Sequence, residues 1–307
     1  MFNNLIEATQ YFSDKQTCID YLTKMRWSNG NVTCVFCNHA KVYELKGANK
    51  RYKCASCRKQ FSAIKGTIFE NSPISLQKWF VAVYILTSHK KGISSCQLAK
   101  DISVTQKTAW FMGQRIRHAL QTKSFSKPLM TAVVECDETY IGGKEKNKHK
   151  SKRIQGAQGR SGKGKTAVFG ILERDGVVVA MKVKDTKKAT IQPIIEQHVV
   201  EGSKVMTDEW KAYKGLKKKF QHEAVSHKAG IYVIGIAHTN TIEGFWSQLK
   251  RGIVGIYHQI TPKHLDRYID EYEYRYNTRK SGEVERFNNM LSLSNKRLTY
   301  KSLIATA

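Results

Sequence analysis

The clearest pattern of apolar and polar positions lies between residues 238 and 258. Its apolar side chains recur at intervals of three and four residues, as on one face of a helix, and they are Ile242, Phe245, Trp246 and Leu249. We therefore predict a helix that begins near Thr241 and packs this stripe inward. Glu243 and Lys250, seven residues apart, share another side of it, roughly 10 Å apart along the axis. Taken alone, such a pair is ordinary solvated surface.

Helical spacing also dominates residues 66–127, which we predict to form one DNA-binding domain. A short helix near 95–101 is followed by a turn, and Thr105 is placed to cap a longer basic helix that runs to about residue 120. This order predicts a helix-turn-helix, although helical hairpins also occur in proteins that bind no nucleic acid. The side chains expected to reach DNA are Gln106, Lys107, Gln114 and Arg115.

The pattern changes to strands after residue 128. Strands are predicted at 131–141, 166–172, 177–183 and 205–208, with helices between and after them. We expect residues 128–285 to form an α/β domain with a mixed sheet, so that the whole chain is a multidomain α+β protein. The run 142–165 contains nine Lys or Arg and one acid, which predicts a basic insert that contacts phosphates or is simply solvated. Residues 286–307 are expected to form a C-terminal tail.

The net charge of the chain indicates what kind of partner it binds. The 307 residues contain 52 Lys and Arg against 25 Asp and Glu, a net charge of +27. This excess is unusual for an enzyme of small neutral metabolites and indicates a polyanionic partner, most often nucleic acid. An unrelated basic protein is the alternative. No apolar run is long enough to span a membrane and the first residues lack the pattern of a signal peptide, so we expect a cytoplasmic, nucleoid-associated protein.

The cysteine spacing predicts a metal site in residues 1–65. Cys34 and Cys37 form one Cys-x-x-Cys pair, and Cys54 and Cys57 form a second pair after sixteen intervening residues. In a reducing compartment such pairs bind zinc more often than they form disulfides. We therefore predict a zinc ribbon after an N-terminal helix. The ribbon contacts DNA or is purely structural.

Three carboxylates suggest a second metal site. Asp137 lies in the first predicted strand, Asp208 ends a later strand, and Glu243 lies on the helix described above. Carboxylates on neighbouring strands and a flanking helix can converge on two divalent ions, which promote phosphodiester chemistry. Hard oxygen ligands suit Mg²⁺ or Mn²⁺.

Six segments together resemble the zinc-ribbon DDE transposases of bacterial insertion sequences, the ISXO2-like family. The first three are the paired cysteines, which alone would not be specific, Gln97-Leu-Ala-Lys and Lys107-Thr-Ala-Trp-Phe-Met. Cys136-Asp-Glu-Thr-Tyr-Ile-Gly-Gly, Thr207-Asp-Glu-Trp and His238-Thr-Asn-Thr-Ile-Glu-Gly-Phe-Trp-Ser-Gln-Leu-Lys-Arg-Gly complete the set. The similarity extends from about residue 15 to 280.

The resemblance implies a ribonuclease H-like catalytic domain that cleaves and joins transposon ends with two metal ions. By position, Asp137, Asp208 and Glu243 match the catalytic triad, and Lys250 matches a basic residue that contacts DNA near it. Related elements can carry Asn as the third residue, so Asn240 is the alternative ligand. The expected partners are transposon ends with terminal inverted repeats, target DNA and further copies of the chain.

Besides Gln114, the residues expected to contact DNA are Lys250, Arg251, Gln106, Lys107, Arg115, Lys152 and Arg153. Two other functions remain open at this point: a domesticated DNA-binding regulator without catalysis, and a metal-dependent nuclease that does not join strands.

The charge leads to a prediction about salt. If phosphate contacts dominate DNA binding, the logarithm of the association constant should fall linearly with the logarithm of salt concentration, by about 0.9 for each phosphate neutralised. Fluorescence anisotropy with a labelled duplex, titrated at several salt concentrations, measures this slope. Binding that does not change between low and physiological salt would contradict the prediction.

Overall fold

The computed structural model describes residues 2–47, 49–121, 132–143, 147, 149–155, 164–225 and 238–305. The chain divides into two compact units. One contains Met1–Gln121 together with Lys280–Ala307, and the other contains Thr122–Arg279. Half of the residues of the predicted basic insert 142–165 lie outside the described residues.

The first unit begins with two short helices and a small sheet. Helices α1 (Leu5–Tyr11) and α2 (Lys15–Arg26) begin after Asn4 and Asp14, whose side chains accept backbone hydrogen bonds from the first turn of each helix. Strands β1 (Val42–Leu45), β2 (Arg51–Cys54) and β3 (Gln60–Ser62) follow in an antiparallel sheet of order β1-β2-β3. The single predicted N-terminal helix is therefore two helices.

Three helices follow the small sheet. They are α3 (Leu76–Ser88), α4 (Ser95–Asp101) and α5 (Gln106–Leu120), and the hydroxyls of Ser75, Ser94 and Thr105 cap their N-termini. Helix α3 is buried along most of its length, and α4 packs against α5. The cap at Thr105 and the short turn between α4 and α5 are as predicted from the sequence.

The C-terminal segment is not the tail that the sequence analysis expected. It forms α9 (Glu283–Ser292) and α10 (Tyr300–Ile304), and α9 packs against α3. Phe287 is fully buried among aromatic rings, and Glu283 Oε2 accepts a 2.6 Å hydrogen bond from the Tyr84 hydroxyl. Phe287, Met290 and Leu291 recur at helical spacing, which explains why this segment folds onto the first unit.

The second unit is built on a five-stranded mixed sheet. Its strands are β4 (Val134–Ile141), β5 (Thr166–Glu173), β6 (Val178–Val183), β7 (Lys204–Asp208) and β8 (Gln221–Val225), in the order β6-β5-β4-β7-β8. The β6-β5-β4 pairs are antiparallel, and the β4-β7 and β7-β8 pairs are parallel. The mixed sheet confirms the predicted α+β class, while β8 was not predicted.

Helices cover both faces of this sheet. On one face, alternate residues such as Cys136, Phe169 and Ile171 pack against α6 (Lys188–His198). On the other face, Val168, Leu172 and Ala180 pack against α7 (Asn240–Gly252) and α8 (Leu265–Asn277). Strand β4 is thus central, and its odd-numbered residues face α7 because side chains alternate along a strand. Within the described part of the chain, no helix has the length and apolarity needed to cross a membrane.

Candidate metal centre and active site

The four predicted cysteine ligands lie together in the small sheet of the first unit. Their sulfur atoms are all within 4.8 Å of one another. The Sγ atoms of Cys34 and Cys57 are 3.6 Å apart, as are those of Cys37 and Cys54. A tetrahedral zinc with Zn–S bonds of about 2.3 Å requires S···S distances of about 3.8 Å, so the thiols fit a zinc ion.

Backbone groups support this arrangement of thiols. The N–H of Phe36 donates to Cys34 Sγ and the N–H of Cys57 donates to Cys54 Sγ, each at 3.4 Å. These bonds orient the sulfur atoms of Cys34 and Cys54 within the group of four thiols. Among the described residues, this is the one group of three or more potential ligands with such close ligating atoms.

The two predicted aspartates lie side by side on one face of the large sheet. Strands β4 and β7 are parallel, with Val134 opposite Val205 and Glu135 opposite Met206. Extending this register by two residues places Asp137 opposite Asp208, and alternation directs both toward α7. Asp208 ends β7, and its Oδ1 accepts a 2.9 Å hydrogen bond from the N–H of Trp210.

Helix α7 carries the third predicted acid. Its apolar stripe is buried as predicted, and Glu243 and Lys250 are exposed on another side. Glu243 Oε1 accepts a 3.0 Å hydrogen bond from the hydroxyl of Thr239. The helix begins at Asn240, one residue from the predicted start near Thr241, so the alternative ligand Asn240 is the exposed first residue of the helix.

Electrostatic interactions connect the three acids with Lys250. Burial is the main cause that raises the pKa of Asp137 to about 8, and the neighbouring Glu138, Asp208 and Glu243 raise it further. Burial lowers the pKa of Lys250, whereas the nearby Asp137 acts in the opposite direction. The structure thus places these side chains in one region of negative charge. The three acids do not form a cluster as tight as that of the cysteines.

A tryptophan on α7 fixes the orientation of Asp137. The Trp246 indole N–H donates a 3.0 Å hydrogen bond to Asp137 Oδ2. Its ring lies against Gly170, the residue that pairs with Asp137 in the β4-β5 ladder. A Cβ at Gly170 would be 2.6 Å from Trp246 Cζ2, so only glycine allows the indole to approach the strand this closely.

Glu138 is a further acid close to these residues that was not predicted from the sequence. Burial raises its pKa to about 7; a 2.7 Å hydrogen bond from the Tyr213 hydroxyl lowers it, and Asp208 raises it. Adjacent positions on a strand face opposite sides, so Glu138 points toward the α6 face. The signal in the sequence is the pair Asp137-Glu138, together with the aromatic residues that follow Asp208.

Trp210 is a second residue that was missed, and it remains 49% exposed next to Asp208. Its indole N–H is held by the carbonyl of Thr186 at 3.2 Å. A large exposed ring beside the acids is a chemical feature that helical or strand periodicity does not reveal.

The predicted DNA-contacting residues differ in accessibility. Gln106 and Lys107 are exposed at the start of α5, and Arg251 and Arg153 are also exposed. The backbone of Lys152 lies in a 3-10 turn, Lys150–Lys152, but its side chain lies outside what the structure describes.

Arg115 and Gln114 were predicted wrongly as DNA contacts. Both are buried, and Arg115 Nη2 donates a 2.5 Å hydrogen bond to the carbonyl of Glu70. The Arg115 guanidinium also lies 5.7 Å from the ring centroid of Trp79 and 5.2 Å from that of Phe111. This half of α5 faces the core of the first unit, and the basic residue is used there for packing.

The cysteine geometry leads to a prediction about zinc. Cys54→Ser should reduce the zinc content, because one of four thiolates is lost, and should destabilise the small sheet while the second unit stays folded. Elemental analysis and hydrogen exchange measure both effects. Cys96→Ser is the matched control, since Cys96 is an exposed thiol on α4 outside the cluster. Wild-type protein purified without any zinc would contradict the prediction.

The contact between Gly170 and Trp246 leads to a second prediction. Gly170→Ala should destabilise the protein by about 1–3 kcal/mol, because the added methyl displaces a buried indole. Gly244→Ala on the exposed side of α7 is the control, with nothing within 4 Å of its Cβ, and should be neutral or stabilising by up to about 1 kcal/mol. Denaturant unfolding measures both changes. Equal changes in the free energy of unfolding for the two variants would show that the contact with Trp246 does not require glycine at residue 170.

Comparisons with known proteins agree with these observations. A family model described as the ISXO2-like transposase domain matches residues 130–277, and one described as the transposase zinc-ribbon domain matches residues 13–60. A transposase-like protein of Haemophilus influenzae is 30% identical over 101 residues, which cover 33% of this chain and 80% of that protein.

Solved structures show only a remote likeness. The Mos1 strand transfer complex has 11% identity, covers 72% of this chain and 79% of its own, and has a TM-score of 0.28. A pre-cleavage Mos1 transpososome has 10% identity, covers 71% of this chain and 79% of its own, and has a TM-score of 0.19. We draw no conclusion from scores this low.

A longer sequence match decides the family. A protein in the transposable element ISH50 of Halobacterium salinarum is 32% identical over 251 residues, which cover 78% of this chain and 83% of that protein. Because this relative extends across both units and both family models match as well, the chain belongs to the ISXO2-like transposases with an N-terminal zinc ribbon.

Proposed function

We propose that this transposase binds the terminal inverted repeats of its insertion sequence and catalyses DNA cleavage and strand transfer at Asp137, Asp208 and Glu243. The observation that carries the proposal is the position of these acids on one face of the sheet and the helix above it, where burial and then the neighbouring acids raise the pKa of Asp137. Neighbouring carboxylates repel one another, and bound cations remove this repulsion.

The chemistry of the donors fits divalent metal ions. Asp137, Asp208 and Glu243 would hold two Mg²⁺ or Mn²⁺ ions, because carboxylate oxygens are the ligands these ions prefer. When bound, two such ions activate the attacking oxygen and stabilise the leaving oxygen of a phosphodiester. Trp246 orients the Asp137 carboxylate through its hydrogen bond, and the exposed Lys250 on the same helix is placed to contact a DNA phosphate.

Two reactions would follow one another at this site. In the first, a water oxygen bonds to phosphorus as the bond to the 3′ oxygen breaks, which leaves a 3′-hydroxyl on the transposon end. In the second, that hydroxyl attacks a phosphodiester of target DNA and a target 3′ oxygen leaves. The sheet order supports a ribonuclease H-like fold for this domain, with three antiparallel strands followed by two parallel ones and acids on the central pair.

DNA recognition is assigned to the first unit and to α7. Helices α4 and α5 have the order and turn of a helix-turn-helix, with Gln106 and Lys107 exposed at the start of α5. Arg251 and Arg153 are further exposed cations that can contact phosphate. The zinc ribbon would support recognition of the terminal repeat, and pairing of two ends implies further copies of the chain.

The third metal ligand is assigned to Glu243 rather than Asn240. A carboxylate adds charge against two cations and can bind through both oxygens, whereas an amide offers one neutral oxygen. Glu243 also contributes directly to the raised pKa of Asp137. Both side chains are exposed, so both can be tested without loss of core packing.

We expect Glu243→Gln to abolish cleavage and strand transfer, with a loss of at least about 100-fold, because a metal ligand contributes several kcal/mol to the transition state. Asn240→Ala should only reduce both reactions, and DNA binding should persist in both variants. Glu196→Gln, an exposed helical glutamate that pairs with Lys219, is the matched control. If Glu243→Gln stays active and Asn240→Ala loses both reactions, the third metal ligand is Asn240 instead.

One assay separates the proposal from its alternatives. Wild-type protein is incubated with a labelled transposon end, target DNA and Mg²⁺ or Mn²⁺, and the products are resolved on a denaturing gel. Strand transfer supports the transposase, cleavage alone indicates a metal-dependent nuclease, and binding alone indicates a regulator without catalysis.

A further inference from the structure

A buried carboxylate on β4 contacts the beginning of the helix that carries Glu243. Glu135 is completely buried, two residues before Asp137 on the same face of the strand. Its Oε2 accepts hydrogen bonds from the backbone N–H groups of Thr241 at 3.0 Å and Ile242 at 2.9 Å. Its Oε1 accepts a 2.9 Å hydrogen bond from the Thr241 hydroxyl.

These contacts make Glu135 the cap of α7. The first N–H groups of a helix have no partner within it, and a side chain of the residue before the helix usually supplies one. Here the cap residue Thr239 makes no such bond, and its hydroxyl donates to Glu243 instead. The Glu135 carboxylate, 106 residues before Thr241 in the sequence, caps the helix in place of the Thr239 side chain. The negative charge of this carboxylate also interacts favourably with the helix dipole.

Arg174 connects the carboxylate to the segment before the helix. Its Nε donates to Glu135 Oε1 at 2.6 Å, and its Nη2 donates to the carbonyl of His238 at 2.8 Å. The ring Nδ1 of His238 lies 3.2 Å from the same Oε1, within ion-pair distance but without the geometry of a hydrogen bond. A buried carboxylate is costly unless it is paired and hydrogen-bonded, and Glu135 has both kinds of partner.

Helix α7 is therefore attached to β4 at two points. Glu135 holds its first turn, and Asp137 accepts the hydrogen bond of Trp246 further along the helix. Glu243 lies between these two points. The separation of Glu243 from Asp137 is then fixed by two residues of a single strand.

We propose that Glu135 is a positioning residue, which sets Glu243 against Asp137 and Asp208 by capping α7 from the central strand. The inference rests on the proposed function of those three acids. It adds a carboxylate that neither binds metal nor touches DNA but on which the geometry of the site depends. A displacement of about 1 Å in a catalytic group can cost about 100-fold in rate, so the cap has a measurable consequence.

The test compares two buried glutamates of the same unit. Glu135→Gln keeps the size of the side chain but turns one oxygen into an NH₂ group that faces donors. Glu273→Gln is the matched control, because Glu273 is also buried and accepts the N–H of Ala180 on β6, away from the start of α7. Three quantities are measured: hydrogen exchange of residues 239–246 in metal-free protein, DNA affinity, and the kcat and KM of strand transfer.

The expected result for Glu135→Gln is faster exchange confined to residues 239–246, a fall in kcat of about 100-fold and little change in KM or DNA affinity. Glu273→Gln should keep wild-type exchange in residues 239–246 and most of the kcat. Thr241→Val removes only the hydroxyl donor to Oε1, so it should lower kcat several-fold, and it replaces Glu135→Gln if that variant does not fold.

Two outcomes would overturn the inference. One is a Glu135→Gln protein, or in its place a Thr241→Val protein, with wild-type kcat. The other is loss of activity in both glutamate variants in proportion to a general loss of exchange protection, which would make Glu135 a residue of stability alone. Wild-type protein without cleavage or strand transfer would instead overturn the proposed function, and the positioning role with it.

Discussion

The second unit depends on a central strand that carries three carboxylates close together, one of them fully buried and two half-buried. Strand β4 lies between two helical layers, and each carboxylate on it must be compensated. Glu135 is compensated by the start of α7 and by Arg174, and Glu138 by the hydroxyl of Tyr213. Asp137 has only the Trp246 indole among these partners, and burial, together with neighbours of its own sign, raises its pKa to about 8. Asp137 therefore has the weakest set of favourable partners of the three carboxylates, and a bound cation would stabilise it the most.

In the first unit, the constraint is the small hydrophobic core of the three-stranded sheet. A three-stranded sheet of short strands buries too little apolar surface to fold alone, and the four thiols supply a metal site in its place. The helices of this unit also pack against a helix from the C-terminal part of the chain. Phe287 of α9 enters the aromatic cluster formed by Phe2, Phe12 and Phe80, so residues 280–307 belong to this unit.

The sequence was informative where a signal is local. Helix α7 and its buried stripe, the cap at Thr105 and the paired cysteines follow from spacing within about twenty residues. Long-range contacts could not be predicted in this way. The burial of Arg115 depends on the carbonyl of Glu70, and the role of Glu135 depends on a helix more than a hundred residues later. No periodicity distinguishes Glu135 from the solvated glutamates of the chain, because its partners lie 39 to 107 residues away in the sequence.

The charges of the chain and of the candidate site are opposite, and this contrast constrains the function. A net charge of +27 attracts DNA, yet the region around Asp137 is acidic and repels phosphate. Lys250 lies on this side of α7, where the electrostatic influence of both Asp137 and Lys165 reaches it. A phosphodiester can therefore approach the acids closely only when divalent cations neutralise them. Affinity for DNA should then depend mainly on basic surfaces away from the acids, whereas reaction should depend on the metal. If the three acids have the proposed role, their loss should abolish catalysis and leave DNA binding largely intact.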